Sequence, residues 1–141
     1  MKFGKKGARL ALALVSAVVL GGVFAGCGGD SKADSNEIKV GANFEMTGNV
    51  ANYGNASLDG LKLAIDEVNE AGGVDGKKIT LVTADNKSEA SEAVNAATKL
   101  ISDDKVSVII GPAVTANVIA ESQVATDNKV PIIAPDATSP D

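Results

Sequence analysis

Histidine and tryptophan are absent from the 141 residues, and cysteine occurs once, at position 27. Without histidine no Ser-His-Asp or Cys-His relay can be built, and the commonest metal ligand is missing. A single cysteine forms neither an internal disulfide nor a zinc cluster. Basic charge is scarce as well: Lys2, Lys5, Lys6 and Arg9 precede the first acidic residue, Asp30, and beyond residue 26 nine basic residues face 18 acidic ones. A surface of that sign repels phosphate backbones, and beyond the first 26 residues the aromatics are only Phe44 and Tyr53, so nucleic acid is excluded as a partner. No Gly-x-Gly-x-x-Gly follows a strand, no Gly-Lys-Ser/Thr occurs, and no nucleophile elbow is present, which removes the support for nucleotide-dependent and hydrolytic chemistry. The length allows one domain at most.

What is present begins with an address. Met1 to Arg9 is basic, and Leu10 to Gly26 is an uncharged run of apolar and small residues, the layout of a bacterial export signal. At 17 residues the run is also at the lower limit for a retained membrane span. It ends Val23-Phe24-Ala25-Gly26-Cys27, which resembles the lipobox of bacterial lipoproteins, with Phe24 where leucine is usual. That resemblance implies a cleaved signal peptide over residues 1–26 and a diacylglycerol on Cys27, whose new amino terminus is then acylated. More than one acyl chain is enough for stable anchoring. Gly28 to Asn36, polar and free of apolar residues, reads with Cys27 as a flexible tether over 27–36.

From residue 37 onward strand and helix signals alternate. Glu37 to Phe44 carries Ile38, Val40 and Ala42 in alternation and predicts a strand, followed by a glycine- and asparagine-rich loop from Glu45 to Asn55. Over Ala56 to Ala71, Leu58, Leu61, Ile65 and Val68 recur at helical spacing, and Gly72-Gly73 ends the helix. Lys78 to Ala84 predicts a second strand. Asp85 or Asn86, with Glu89, forms a reciprocal cap pattern for a helix whose stripe is Ala90, Ala93, Val94, Ala97, Leu100 and Ile101. Val106 to Ile110, Thr115 to Asp127 and Val130 to Ala134 then read as strand, helix and strand, the helix with weak periodicity. Parallel strands joined by right-handed helical crossovers give the fold class: α/β, a doubly wound parallel sheet.

Such sheets bind ligands beyond the carboxyl ends of their strands, where strand order reverses. Three segments qualify, Glu45 to Asn55, Gly111 to Thr115 and Pro135 to Ser139, and they offer Thr47, Tyr53, Thr115, Thr138 and Ser139 beside glycines. That set suits holding a small polar molecule. Thr115 opens a helix after a Gly-Pro turn, where free amides and the helix dipole favour a carboxylate; a plain helix cap is the alternative. Thr138, in the turn after Pro135-Asp136-Ala137, offers a hydroxyl and carbonyls to an ammonium group or is a simple turn residue. Asp85 reads as a cap, and Tyr53 as a loop aromatic near a pocket.

Ile38 to Pro140 resembles the amino-terminal lobe of the type I solute-binding proteins of ABC transporters, in the class that binds leucine, isoleucine and valine. The resemblance rests on IKVGANFEMTGNVANYGNASLDGLKLAIDEVNEAGGVDGKKITLV, VSVIIGPAVTANV and VPIIAPDATSP, above all Thr47-Gly48, Tyr53-Gly54, Gly60 and Asn69 to Gly73. It implies a periplasmic-binding-protein type I lobe over 37–141, incomplete here, since family members close two lobes over one amino acid and run well past this length. It implies that Tyr53 touches the ligand, that Thr115 takes the α-carboxylate, and that Asp136, Ala137 and Thr138 meet the carboxylate and ammonium groups. Asp136 stands where a small residue is common, which would favour a more cationic ligand. The implied function is capture of an amino acid, most often branched-chain, by a monomeric, lipid-anchored receptor on the extracytoplasmic face, for delivery to ABC permease subunits, without catalysis, metal or cofactor. Amide or urea binding by the same fold, and a ligand-sensing receptor domain, are the alternatives.

Overall fold

The computed structural model describes residues 36–139. The export signal, Cys27 and all of the tether but Asn36 lie outside the described residues. Four strands and three helices alternate: β1 (Glu37–Phe44), α1 (Ala51–Glu70), β2 (Lys78–Asp85), α2 (Ala90–Ser102), β3 (Val108–Ile110), α3 (Thr115–Asp127) and β4 (Ile132–Ile133). The sheet is wholly parallel in the order β2-β1-β3-β4. β1 is central, paired along all its length with β2 from Glu37 opposite Lys78, and through Val40 to Ala42 with β3.

Both faces of the sheet are covered, and adjacent residues on each strand serve opposite layers. On one face Ala42 and Phe44 pack with Leu58 of α1 and with Ala113, joined by Leu61, Leu81 and Ile110. On the other, Ile109 packs with Ala97, Leu100 and Ile101 of α2 and Ala125 of α3, joined by Val82, Ala84 and Ile132. The doubly wound parallel sheet expected from the alternation is therefore present, and none of the helices among the described residues is long and apolar enough to cross a membrane.

Several boundaries differ from expectation. α1 begins at Ala51, five residues before the expected Ala56, so Tyr53 stands on a helix and not in a loop. Gly54 explains the early start: it is buried against β1, where a Cβ would lie 2.2 Å from the Glu45 carbonyl oxygen, and only glycine lets the first turn sit there. Val68, assigned to the apolar stripe, is exposed. β3 starts at Val108 because the Val106 amide donates to the Leu100 carbonyl (3.1 Å), closing the end of α2. β4 shortens to two residues since the Val130 amide closes α3 on the Ala125 carbonyl (2.9 Å) and Pro131 has no amide to give. The reciprocal cap of Asn86 and Glu89 does not form: Lys87 and Ser88 turn through positive φ, and Asn86 Oδ1 accepts from the Ser88 amide instead.

Candidate functional site

The strand after β1 in sequence, β2, pairs on one side of it, while β3 pairs on the other, so the order reverses between β1 and β3. Beyond the carboxyl ends of these two strands lies a hollow of about 400 Å³, lined by Val50, Tyr53, Ala113, Val114, Thr115, Asp136 and Thr138. Its volume is in the range of small-molecule sites. The start of α1 forms one wall, the start of α3 the floor, and the turn after β4 the third side. Its lining is apolar on Val50, Ala113 and Val114 and carries hydroxyls on Tyr53, Thr115 and Thr138.

Of the residues singled out in the sequence, Tyr53, Thr115, Asp136 and Thr138 are brought together here; Ala137 is not among the lining residues. Tyr53 projects from α1 and is 61% exposed, a ring free to meet a ligand or a covering surface. Thr115 is the first residue of α3 and does not act as its cap: the capping position is Val114, which gives no side-chain bond, and Thr115 Oγ1 accepts from the Ser139 amide at 3.3 Å. The first amide to find a carbonyl within the turn is that of Asn117, on Val114 at 3.0 Å, which leaves the amides of Thr115 and Ala116 directed out of the helix start. Asp136 is tied to α1 through its carboxylate, which accepts from Ser57 Oγ at 2.6 Å. Thr47 is not in the hollow, because its hydroxyl is engaged elsewhere.

That engagement corrects the reading of Asp85 as a helix cap. Its carboxylate accepts from the amides of Met46 (3.0 Å), Thr47 (3.1 Å) and Lys87 (2.8 Å) and from the Thr47 hydroxyl (2.6 Å). Burial alone would raise its pKa, but these bonds, led by the Thr47 hydroxyl, outweigh it and hold the carboxyl below its ordinary value. Ser88 Oγ adds a bond to the Thr47 carbonyl (2.8 Å). The segment from Met46 to Val50 that leads into Tyr53 is thus fastened to the end of β2.

Beneath the hollow lies a group that reading the sequence missed. Asn43, Glu45, Asn86 and Glu121 are fully buried and Asn117 nearly so. Glu45 accepts from the amides of Ala113 (3.0 Å) and Val114 (3.4 Å) and from Asn117 Nδ2 (2.8 Å). Asn43 Nδ2 donates to Glu121 Oε2 and to the Ala93 carbonyl (3.0 Å), while its Oδ1 accepts from Asn86 (3.3 Å). Glu121 Oε1 has no partner among the described residues. Burial, chiefly, with the nearby Glu45 charge adding and the Asn43 bond opposing, pushes the Glu121 carboxyl up to about 8. A signal existed: α3 buries Asn117, Glu121 and Ala125, a stripe at steps of four that is polar at two of three places, which is why its apolar periodicity is weak. Among the described residues no three His, Cys, Asp or Glu side chains are grouped to hold a metal ion.

Comparison with known proteins places the chain by family and fold. A family model described as periplasmic binding protein matches residues 37–141. A Leu/Ile/Val-binding protein, BraC3, of Rhizobium johnstonii is 36% identical over 105 residues, covering 74% of this chain and 28% of that protein. The crystal structure of the branched-chain amino acid transporter substrate-binding protein LivJ from Streptococcus pneumoniae, in complex with isoleucine, superposes with a TM-score of 0.73 at 47% identity, over 74% of this chain and 30% of that one. A solute-binding protein of an ABC transporter from Rhodopseudomonas palustris, in complex with 3,4-dihydroxybenzoic acid, gives a TM-score of 0.67 at 34% identity, over 72% and 28%. The chain therefore spans less than a third of the length of these relatives.

Proposed function

This chain belongs to the periplasmic binding protein family, and on that premise we propose that it is the extracytoplasmic substrate-binding part of an ABC transporter that captures an amino acid, branched-chain by preference, for uptake. The observation that carries the reading is the convergence of Tyr53, Thr115, Asp136 and Thr138 on one hollow at the point where strand order reverses. The out-turned amides of Thr115 and Ala116, at the positive end of α3, suit a carboxylate. The Thr138 hydroxyl and the Asp136 backbone are offered to an ammonium group, and Val50, Ala113 and Val114 offer apolar surface to a side chain. Isoleucine and dihydroxybenzoic acid, the ligands of the two structural neighbours, have a carboxylate in common, a group that a helix start with free amides suits.

The lobe described here provides one side of a cleft, and in this reading a second lobe completes it. Binding involves no bond making or breaking. The protein is held at the membrane surface by a lipid on Cys27, and its ligand passes to permease subunits. Calorimetric titration of the full-length protein with the standard amino acids, short-chain amides and aromatic acids tests the reading. Isoleucine, leucine or valine should bind most tightly, and Thr115→Ala should weaken that binding by about 1–3 kcal/mol, the loss of a hydrogen bond to a charged group. Heat with an amide or an aromatic acid but none with amino acids would overturn the branched-chain reading, and turnover of any of them would overturn binding as the function.

A further inference from the structure

The buried group beneath the hollow holds two carboxylates and no cation. Glu45 and Glu121 are both without solvent exposure, and their hydrogen-bond partners are amides alone: those of Ala113 and Val114 and the side chain of Asn117 for Glu45, the side chain of Asn43 for Glu121. Among the described residues the hydrogen-bond partners that the surrounding elements give the pair are all uncharged. β1 contributes Asn43, the turn before α2 contributes Asn86, α2 contributes the Ala93 carbonyl, and α3 contributes Asn117. Two neighbouring carboxylates in a medium of low dielectric cannot both ionise without a large cost, so one retains a proton. The donors decide which. Glu45 receives three N–H groups, whereas Glu121 receives one and has an oxygen with no partner among the described residues.

Ala113 and Val114 have two sides. Their amides point down onto Glu45, while the residues themselves line the hollow that Thr115 closes. Glu45 reaches them across 68 and 69 positions in sequence and fastens the turn after β3 from behind, and its own backbone is held by the close approach of Gly54. It consumes two amides of the helix approach and places a negative charge under the floor on which a ligand's carboxylate would rest.

We propose that Glu45 is a positioning residue of the ligand site, holding the Ala113-Val114-Thr115 turn in its binding geometry, and that Glu121, buried in the same group with one oxygen unpartnered among the described residues, limits the charge beneath that site. The inference deepens the amino-acid-binding reading and rests on it. Its consequence is a proton-linked affinity. When Glu121, midway along α3, ionises, a second charge enters the buried group that holds Glu45 and opposes the ligand's carboxylate.

The test is the affinity of the full-length protein for isoleucine from about pH 6 to about pH 9, in the parent, E121Q and E45Q, together with an infrared spectrum of the parent and E121Q. The ligand's own ammonium titrates alike in every case, so the difference between proteins is the signal. The parent should lose affinity on the order of fivefold more than E121Q over that range. E45Q should bind about tenfold or more weakly at every pH, since its amide presents donors to donors, and its alkaline midpoint should move to lower pH as the charge opposing Glu121 ionisation disappears. A merely structural role for Glu45 would weaken binding without moving that midpoint. The parent should show a protonated carboxyl band at neutral pH that is missing in E121Q, a measurement that needs no ligand and holds even if E45Q fails to fold. Parent and E121Q profiles that coincide, or no protonated carboxyl in the parent at neutral pH, overturn the inference and leave amino-acid binding intact. Failure to bind any amino acid at any pH overturns both.

Discussion

Gly54 and Gly60 lie six positions apart on α1, and the same substitution at each should have opposite effects. An alanine Cβ at Gly54 would stand 2.2 Å from the Glu45 carbonyl oxygen and 2.7 Å from that residue's backbone nitrogen and carbon. Ordinary contact begins near 3.4 Å, and the obstacle is the backbone just after the central strand, so α1 has to retreat by more than an ångström. Overpacking of this kind costs about 3 kcal/mol at its upper end, against a gain of about 1 kcal/mol for alanine over glycine within a helix, leaving a loss of about 2 kcal/mol. At Gly60 the added methyl meets nothing within 4 Å, so only the helical gain of about 1 kcal/mol remains. Urea unfolding of the full-length protein should therefore place G54A below and G60A above the parent, about 3 kcal/mol apart. Isoleucine titration should separate them too, because the retreat at Gly54 carries Val50 and Tyr53 away from the hollow while G60A leaves it alone. Equal stabilities for the two variants, or G54A more stable than the parent, would show that α1 does not rest on Glu45 as described.

Three further expectations are open to direct measurement. Glu121 releases its proton at about 8 in the folded protein and near its ordinary 4.5 when unfolded, so between those values the folded state holds a proton that the unfolded state has given up. Stability should accordingly fall by about 1.4 kcal/mol per pH unit in that window and level off above it, and urea midpoints for E121Q should show a flatter dependence. Asp85 is shifted the other way: the stability it contributes is in full above about 3.8 and is lost as pH falls through its lower folded value. Asp85→Asn should cost about 1–3 kcal/mol at neutral pH and quicken amide exchange at Met46 and Thr47, with unchanged exchange there refuting its role in fastening the loop. Cys27→Ser in the full-length protein should shift it from the membrane to the soluble fraction, and retention at the membrane would contradict lipid anchoring.

The order of elements was legible because apolar periodicity changes from two to nearly four as the chain passes from strand to helix. Glu37 to Phe44 was placed with correct bounds for that reason, whereas Thr115 to Asp127, whose periodicity is weak, was bounded by the turn before it and the strand after it. Errors arose where a tertiary contact overrides a local signal. The turn of helix that holds Tyr53 and Gly54 has the composition of a loop and is helical only because Gly54 can lie on Glu45. Val106 and Val130 have strand-forming side chains but lend their amides to the preceding helices. The hollow was reachable by position, since topology alone locates the ends of β1, β3 and β4. Its floor was not, because nothing in the sequence marks Glu45 or Glu121 as buried, and only folding shows that each is buried with amide partners.

That concealed floor bears on how the site works. A helix start that meets water on one side and a carboxylate on the other is already partly neutralised, so its attraction for a second carboxylate depends on how much charge lies underneath. With Glu45 as acceptor, two of the approach amides are held in place while those of Thr115 and Ala116 keep no acceptor within the helix. With no charge the turn after β3 would lose the acceptor that fixes it, and with two the repulsion would reach the ligand. A single ionised carboxylate is the state that gives both a rigid turn and an attractive helix start, and the buried proton on Glu121 is the means by which a chain with so many acidic residues maintains it.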